Sequence, residues 1–209
     1  MRDGPRAQLA FLFGVTLAVA LTLAVACGDN DSGSSPTVTP AATATEEVVP
    51  TATVGRSGLA PSELVLTSSD FADNGEIPAN YTCDGDSISP PLSIAGVPAG
   101  TASLALTVTD IDGPAGNFVH WTVWNIDPAT TDVPAATVPQ GGVQGQTGVG
   151  APGYFGPCPP SGEHHYVFEL YALDEALSLD PAVSAKAELL AAMQGHILSQ
   201  AKLTGTYQR

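Results

Sequence analysis

Four short stretches of this chain carry side chains able to move protons, hold a metal or grip a ligand. They are Asp110-Ile111-Asp112-Gly113-Pro114, His120, Gly156-Pro157-Cys158-Pro159-Pro160 and His164-His165-Tyr166. Carboxylates and imidazoles together could perform acid–base or metal-assisted hydrolysis. They could equally line a pocket that only binds. Singly, each is a weak signal. An Asp-x-Asp at a strand end is commonly a solvated turn, a lone strand histidine is commonly a satisfied core residue, and Pro-Pro-Ser-Gly is commonly a loop. Patterns dedicated to chemistry are missing. Glu163-His164-His165 is not HExxH, and the sequence has no Cys-x-x-Cys and no G-x-S-x-G. Gly148 to Gly153 matches the dinucleotide fingerprint in letters only, because no apolar strand precedes it and Pro152 sits where a helix would open. Neither a metal nor a cofactor is expected.

The elements that must position these groups are mostly strands. Ser103 to Thr109 alternates, with Leu104, Leu106 and Val108 on one face. Phe118 to Ile126 is aromatic and β-branched on both faces, as in a strand covered on both sides, and Tyr166 to Leu173 is similar. Period two puts His164 and Tyr166 on one face, and His120 on the face of Phe118 and Trp124. Asp127-Pro128, Gly141-Gly142 and Pro159 to Gly162 read as turns. One helix is expected after an N-cap at Ser184, through Leu189, Leu190, Met193 and Ile197, with Gly195 weakening its second half. Thr204 to Tyr207 reads as a last short strand. The fold class expected is mainly β, an antiparallel sandwich.

Composition agrees. Gly and Pro number 22 and 18, and only 13% of the 209 residues are charged, which excludes a coiled coil. Residues 1–26 read as an export signal: Arg2 and Arg6, an apolar run from Leu9, then Ala24-Val25-Ala26. Cys27 follows at the cleavage point, as in the lipobox of bacterial lipoproteins, so lipidation there would anchor the protein to a membrane outside the cytoplasm. Residues 27–60, rich in Thr, Pro, Ser and Ala, read as a flexible linker. Residues 61–209 remain as one domain. The chain has 21 acidic residues against 6 basic ones, which argues against nucleic acid as a partner.

The motifs, taken in order, place the chain in a family. Tyr81 to Asp86 with Ser89 to Leu92, Asp110 to Pro114, His120 to Ile126, Tyr154 to Pro160, His164 to Phe168 and Met193 to Leu198 with Gly205 to Tyr207 resemble the phosphatidylethanolamine-binding protein family, in its bacterial Raf kinase inhibitor-like branch. The resemblance covers residues 64–209. It implies a central antiparallel sheet packed on a smaller one, with peripheral helices. It also implies a small pocket for an anionic head, such as phosphate or a phospholipid headgroup. The pocket residues carried over are Asp110, Asp112, His120, Gly156, Pro159, His164 and Tyr166. A kinase or protease partner is a further implication of the family, and catalysis is not. Two positions depart from the family pattern. Ile111 stands where the family has Pro, and His165 where it has Arg. The Pro that is often cis in the family is kept, at Gly113-Pro114.

Physical reasoning adds two expectations. From Arg56 to Lys186 there are 129 residues without Lys or Arg. An anion would then depend on imidazolium, backbone N–H groups and Tyr hydroxyl, with Asp110 and Asp112 favouring protonation of His120 or His164. Binding would strengthen at mildly acidic pH. Second, Cys83 and Cys158 are an even pair in an oxidising compartment, and a disulfide between them is expected. A hydrolase and an envelope protein with a vestigial pocket are the alternative functions.

Overall fold

The computed structural model describes residues 63–113, 117–183 and 185–209. Export signal, linker, Cys27, Pro114 and Ser184 lie outside the described residues.

The described chain runs β1 (Val65–Thr67), β2 (Gly75–Glu76), a 3-10 turn (Ala79–Tyr81), β3 (Leu92–Ala95), β4 (Ser103–Asp110), β5 (Phe118–Ile126), β6 (Asp132–Val133), β7 (Val143–Gln144), β8 (Glu163–Leu173), α1 (Lys186–Ala192) and β9 (Ile197–Gln208). A six-stranded sheet has the order β2-β9-β8-β4-β5-β7, and a three-stranded sheet the order β1-β3-β6. All pairings are antiparallel except the short β2–β9 pair. The fold is mainly β, two packed sheets as expected.

Alternation along β4 explains its central place. Leu104, Leu106 and Val108 enter the core that also holds Leu66, Ile94, Phe168 and Leu203. Ala105 faces the other way, into a second cluster with Trp124, Leu173, Leu177, Leu189 and Met193. Every residue of β4 is therefore buried. The second cluster is closed by α1, whose seven residues are too few to be helical alone. Burial of Leu189 and Met193 holds it, at about 2–3 kcal/mol each. Asn125 ties the segment before α1 to β5, accepting from Leu177 N–H at 2.8 Å and donating to Leu177 O at 2.9 Å.

Three boundaries differ from the sequence expectation. The helix stops at Ala192, and Ile197 opens a strand instead of completing a helical stripe. Gly195, at φ +87°, lets the chain leave the helix in the left-handed region, and His196 N–H closes the turn on Met193 O at 3.1 Å. The last strand is twelve residues long. Its first half, Ile-Leu-Ser-Gln-Ala-Lys, has little strand character of its own. Pairing with β8, from Leu173↔Ile197 to Glu163↔Gln208, decides its conformation. That same pairing starts β8 at Glu163, three residues early, so His164 and His165 sit on a regular strand.

Candidate functional site

Asp110 ends β4, opposite Phe118 on β5 and Tyr166 on β8. The β4–β5 ladder slips between Val108 and Thr109, which pair with Trp121 and Val119, and His120 is the extra residue. This β-bulge breaks the alternation of β5. Trp121 and Val123 face the inter-sheet core, and Trp124 faces the helix side. Strict period two would turn His120 with Trp124. The bulge turns it to the core side instead. There its ring meets Phe118 at 4.9 Å, Tyr166 at 5.1 Å and Phe155 at 5.7 Å between centroids. The expected neighbour Phe118 is present and Trp124 is not.

The bulge also anchors the loop that closes the site. His120 O accepts Phe155 N–H at 2.9 Å. In return His120 Nδ1 lies 2.6 Å from Phe155 O. A carbonyl only accepts, so Nδ1 carries the proton, and in the neutral ring Nε2 keeps its lone pair. Among the described residues Nε2 has no hydrogen-bond partner, and the buried ring lines the cavity described below. Further along, Gly156 N–H donates to Ser87 Oγ at 3.0 Å, and Cys83 N–H to Pro157 O at 3.0 Å. A disulfide joins Cys83 to Cys158 across 75 residues, with Cα atoms 5.4 Å apart. In the chain-entropy account such a link is worth roughly 4 kcal/mol. A Cβ on Gly156 would lie 2.6 Å from Ser87 Oγ and 2.9 Å from Tyr81 O, so this turn has room only for glycine.

A cavity of about 330 Å³ results, lined by Asp110, Phe118, His120, Phe155, Cys158 and Pro160. Of the residues proposed from sequence, Asp110 and His120 line it. His164 stands behind Asp110, its Nδ1–H donating to Asp110 Oδ2 at 2.7 Å. Tyr166 packs beneath His120, and its hydroxyl is buried with no partner in hydrogen-bond geometry. Burial, helped by Asp110, pushes its ionisation well above the ordinary phenol range, although the nearby Cys158 main chain opposes this. Gly156 and Pro159 are buried in the loop and shape it without lining the cavity. Asp112 is displaced outward and pairs with His165, through the ring nitrogen at 2.7 Å and the main-chain N–H at 2.8 Å. Those bonds, the ring's first, hold its carboxyl below the usual range. Asp112 N–H in turn donates to Asp110 Oδ1 at 2.9 Å.

Sequence reasoning gave no lining role to Phe118, Phe155 or Pro160, although it placed Phe118 on the face of His120 and singled out the stretch that ends in Pro160. Each is adjacent to, or two residues from, a residue it chose, and an aromatic next to a glycine loop was the only available signal. It also passed over Arg209. Although the stretch up to Lys186 has no fixed cation, the chain's last strand brings Arg209 back to Cys158, Nη1 lying 3.6 Å from Sγ while Nη2 pairs with Asp84 at 3.1 Å.

Of the two histidines expected to be protonated, His120 or His164, the expectation fails for His120, although Asp110 does act in the expected direction. Burial dominates and pushes the His120 pKa below the ordinary value, with the Phe155 carbonyl and Asp110 only partly opposing and His164 adding to the fall. At neutral pH the ring is uncharged. Neither lysine nor arginine is among the described lining residues. The cavity thus presents a carboxylate, a bare imidazole nitrogen and aromatic faces. Among the described residues no group of three or more His, Cys, Asp or Glu could hold a metal, and no helix is long and apolar enough to cross a membrane.

Comparison with known proteins places this arrangement. The family model described as phosphatidylethanolamine-binding protein matches residues 67–208. A "UPF0098 protein" of Methanothermobacter thermautotrophicus is 52% identical over 144 residues, covering 66% of this chain and 95% of that one. The Mycobacterium tuberculosis protein named "Putative lipoprotein LppC" is 38% identical over 197 residues, covering 93% of both chains. The crystal structure of Escherichia coli YbcL, titled a new member of the mammalian PEBP family, superposes with a TM-score of 0.66 at 31% identity, covering 70% of this chain and 99% of that one.

Proposed function

This chain belongs to the phosphatidylethanolamine-binding protein family, and from that premise we propose that it is a non-catalytic binding module for a small headgroup-type ligand, held outside the cytoplasmic membrane by a lipid on Cys27. One observation carries the reading: strand ends and a loop distant in sequence meet in the cavity of Asp110, His120, Phe155 and Cys158. The loop is fixed by reciprocal hydrogen bonds to the His120 bulge and by a disulfide. Such a preformed, partly apolar cavity with a few convergent polar groups suits ligand capture.

Of the two ligand forms the family implies, free phosphate and a phospholipid headgroup, the headgroup has the better support. Bare phosphate would meet a carboxylate and a neutral imidazole. A headgroup brings apolar and polar atoms that the rings of Phe118 and Phe155 and the Asp110 carboxylate can match. The lipid anchor is supported by the signal-like residues before Cys27 and by the name that the M. tuberculosis relative carries.

Native mass spectrometry of the full chain, purified from its host membrane without denaturant, tests the reading. A bound mass of headgroup or phospholipid class, lost in His120→Leu, is expected. An empty chain that also ignores added phosphorylethanolamine would refute it. Phosphoester turnover abolished by His120→Ala would overturn the non-catalytic part.

A further inference from the structure

The disulfide between Cys83 and Cys158 has a fixed cation beside one of its sulfurs. We infer that this bond is a site of thiol–disulfide exchange, opened by a dithiol such as the paired thiols of an oxidoreductase. Cys158 is the leaving sulfur, and Arg209 stabilises its thiolate. The inference does not depend on what the cavity binds.

The cation is held in place. Among the described residues only Lys186, Lys202 and Arg209 carry a fixed positive charge. The main-chain carbonyl of Arg209 accepts Gly162 N–H at 3.0 Å. Its Nη2 pairs with Asp84 at 3.1 Å, and Asp84 is fixed in turn by the Tyr207 hydroxyl, which donates to it at 2.7 Å. So anchored, Nη1 lies 3.6 Å from Cys158 Sγ. A guanidinium gains little from an uncharged disulfide sulfur and much from a thiolate, so the contact favours the opened form. The two sulfurs are unequal, because Arg209 faces Cys158 whereas Asp84 follows Cys83 in the chain. Asp110, which lines the cavity with Cys158, opposes a thiolate there, but both its oxygens already accept, from Asp112 N–H and from His164. Burial keeps the other two titratable groups on this side, His120 and Tyr166, uncharged at neutral pH.

Access and persistence are also met. Both cysteines are partly exposed, and exposed disulfides are the exchangeable ones. When the bond opens, Cys83 N–H still donates to Pro157 O at 3.0 Å, Gly156 N–H to Ser87 Oγ at 3.0 Å, and Phe155 keeps its reciprocal bonds with His120. None of these involves sulfur, so the loop stays near enough for the disulfide to re-form.

The exchange balances. A thiolate of the dithiol attacks Cys83 Sγ, the S–S bond breaks, and its electron pair leaves on Cys158 Sγ, which stays ionised beside Arg209. The second thiolate of the dithiol then attacks its own sulfur in the mixed disulfide and expels the Cys83 thiolate, which takes up a proton. Two electrons pass from dithiol to protein. Of the two protons of the dithiol, one ends on Cys83 and the other in solvent. The better-stabilised thiolate departs faster, so attack falls on Cys83.

The test incubates the full chain with dithiothreitol at pH 7.5 without denaturant, quenches with iodoacetamide at intervals and reads Cys83 and Cys158 separately by peptide mass. Both should open in the folded protein. Arg209→Gln should slow opening about tenfold, and Arg209→Lys should recover most of the rate. In the reduced protein at pH 6.5, Arg209→Gln should slow alkylation of Cys158 about tenfold and leave that of Cys83 unchanged. Melting scans of the oxidised variants and of the reduced parent chain show whether each is folded. Reduction that needs denaturant, equal opening rates with and without Arg209, or a reduced chain lacking a cooperative transition would each overturn the inference and leave a bond that only braces the loop.

Discussion

Replacing His120 by glutamine should flatten the acid limb of the protein's stability curve. The ring is 2% exposed, and its burial outweighs the two influences that favour a proton, the Phe155 carbonyl and the Asp110 charge. The folded state therefore releases its proton more readily than the unfolded chain, whose histidine titrates near 6.5. Above about pH 6.5 both states are neutral here and the stability contribution is complete. Below it the unfolded chain takes up a proton that the folded one refuses, and stability falls. The loss runs at up to about 1.4 kcal/mol per pH unit until the folded pKa is reached. From pH 7.5 to 5.5 it amounts to at most about 1.4 kcal/mol, or roughly 3–5 °C in Tm for a domain of this size. Glutamine does not titrate, so the variant lacks this term. At pH 7.5 it should itself be less stable by about 1–3 kcal/mol, having lost ring contacts to Phe118, Phe155 and Tyr166. The two curves, measured by calorimetry or urea titration, should thus converge as pH falls. His165 and His196, paired on the surface with Asp112 and Asp174, cancel in the difference. Parallel curves would refute the argument, because they would mean that burial has not depressed the His120 pKa.

Two other predictions concern the loop. Gly156→Ala should cost about 2–3 kcal/mol in urea titrations, and adding Ser87→Ala should restore only part of it, because the Tyr81 carbonyl stays 2.9 Å from the new methyl. Full recovery in the double variant would mean that the backbone gives way more easily than the packing implies. Cys83→Ser with Cys158→Ser should lower stability by roughly 4 kcal/mol and should speed amide exchange at Phe155 to Cys158 more than in β4; uniform acceleration would show that the disulfide does not specifically hold this loop.

The long strands were legible because their signals are local. Leu104, Leu106 and Val108 alternate, and Phe118 to Ile126 is aromatic and β-branched, so β4 and β5 follow from near neighbours alone. The cysteine pair was legible from parity and compartment. The C-terminal half was less so. Leu189 and Met193 bury one helical face, but Ile197 stands in helical register with them only by coincidence of spacing, and β8 claims it for a strand.

At the site, sequence by itself determined which chemical groups are available: Asp110, His120, the Gly156–Pro160 turn and His164, with no lysine or arginine among them. The tertiary structure decided how they act. An extra residue in one ladder turns His120 to the cavity, and a carbonyl 35 residues away fixes which of its nitrogens donates. Packing strips the ring of water and keeps it uncharged, while Asp112 swings out to His165. The physical reason is range. Periodicity depends on a residue's immediate neighbours, whereas strand register, desolvation and hydrogen-bond direction depend on groups that only folding brings near.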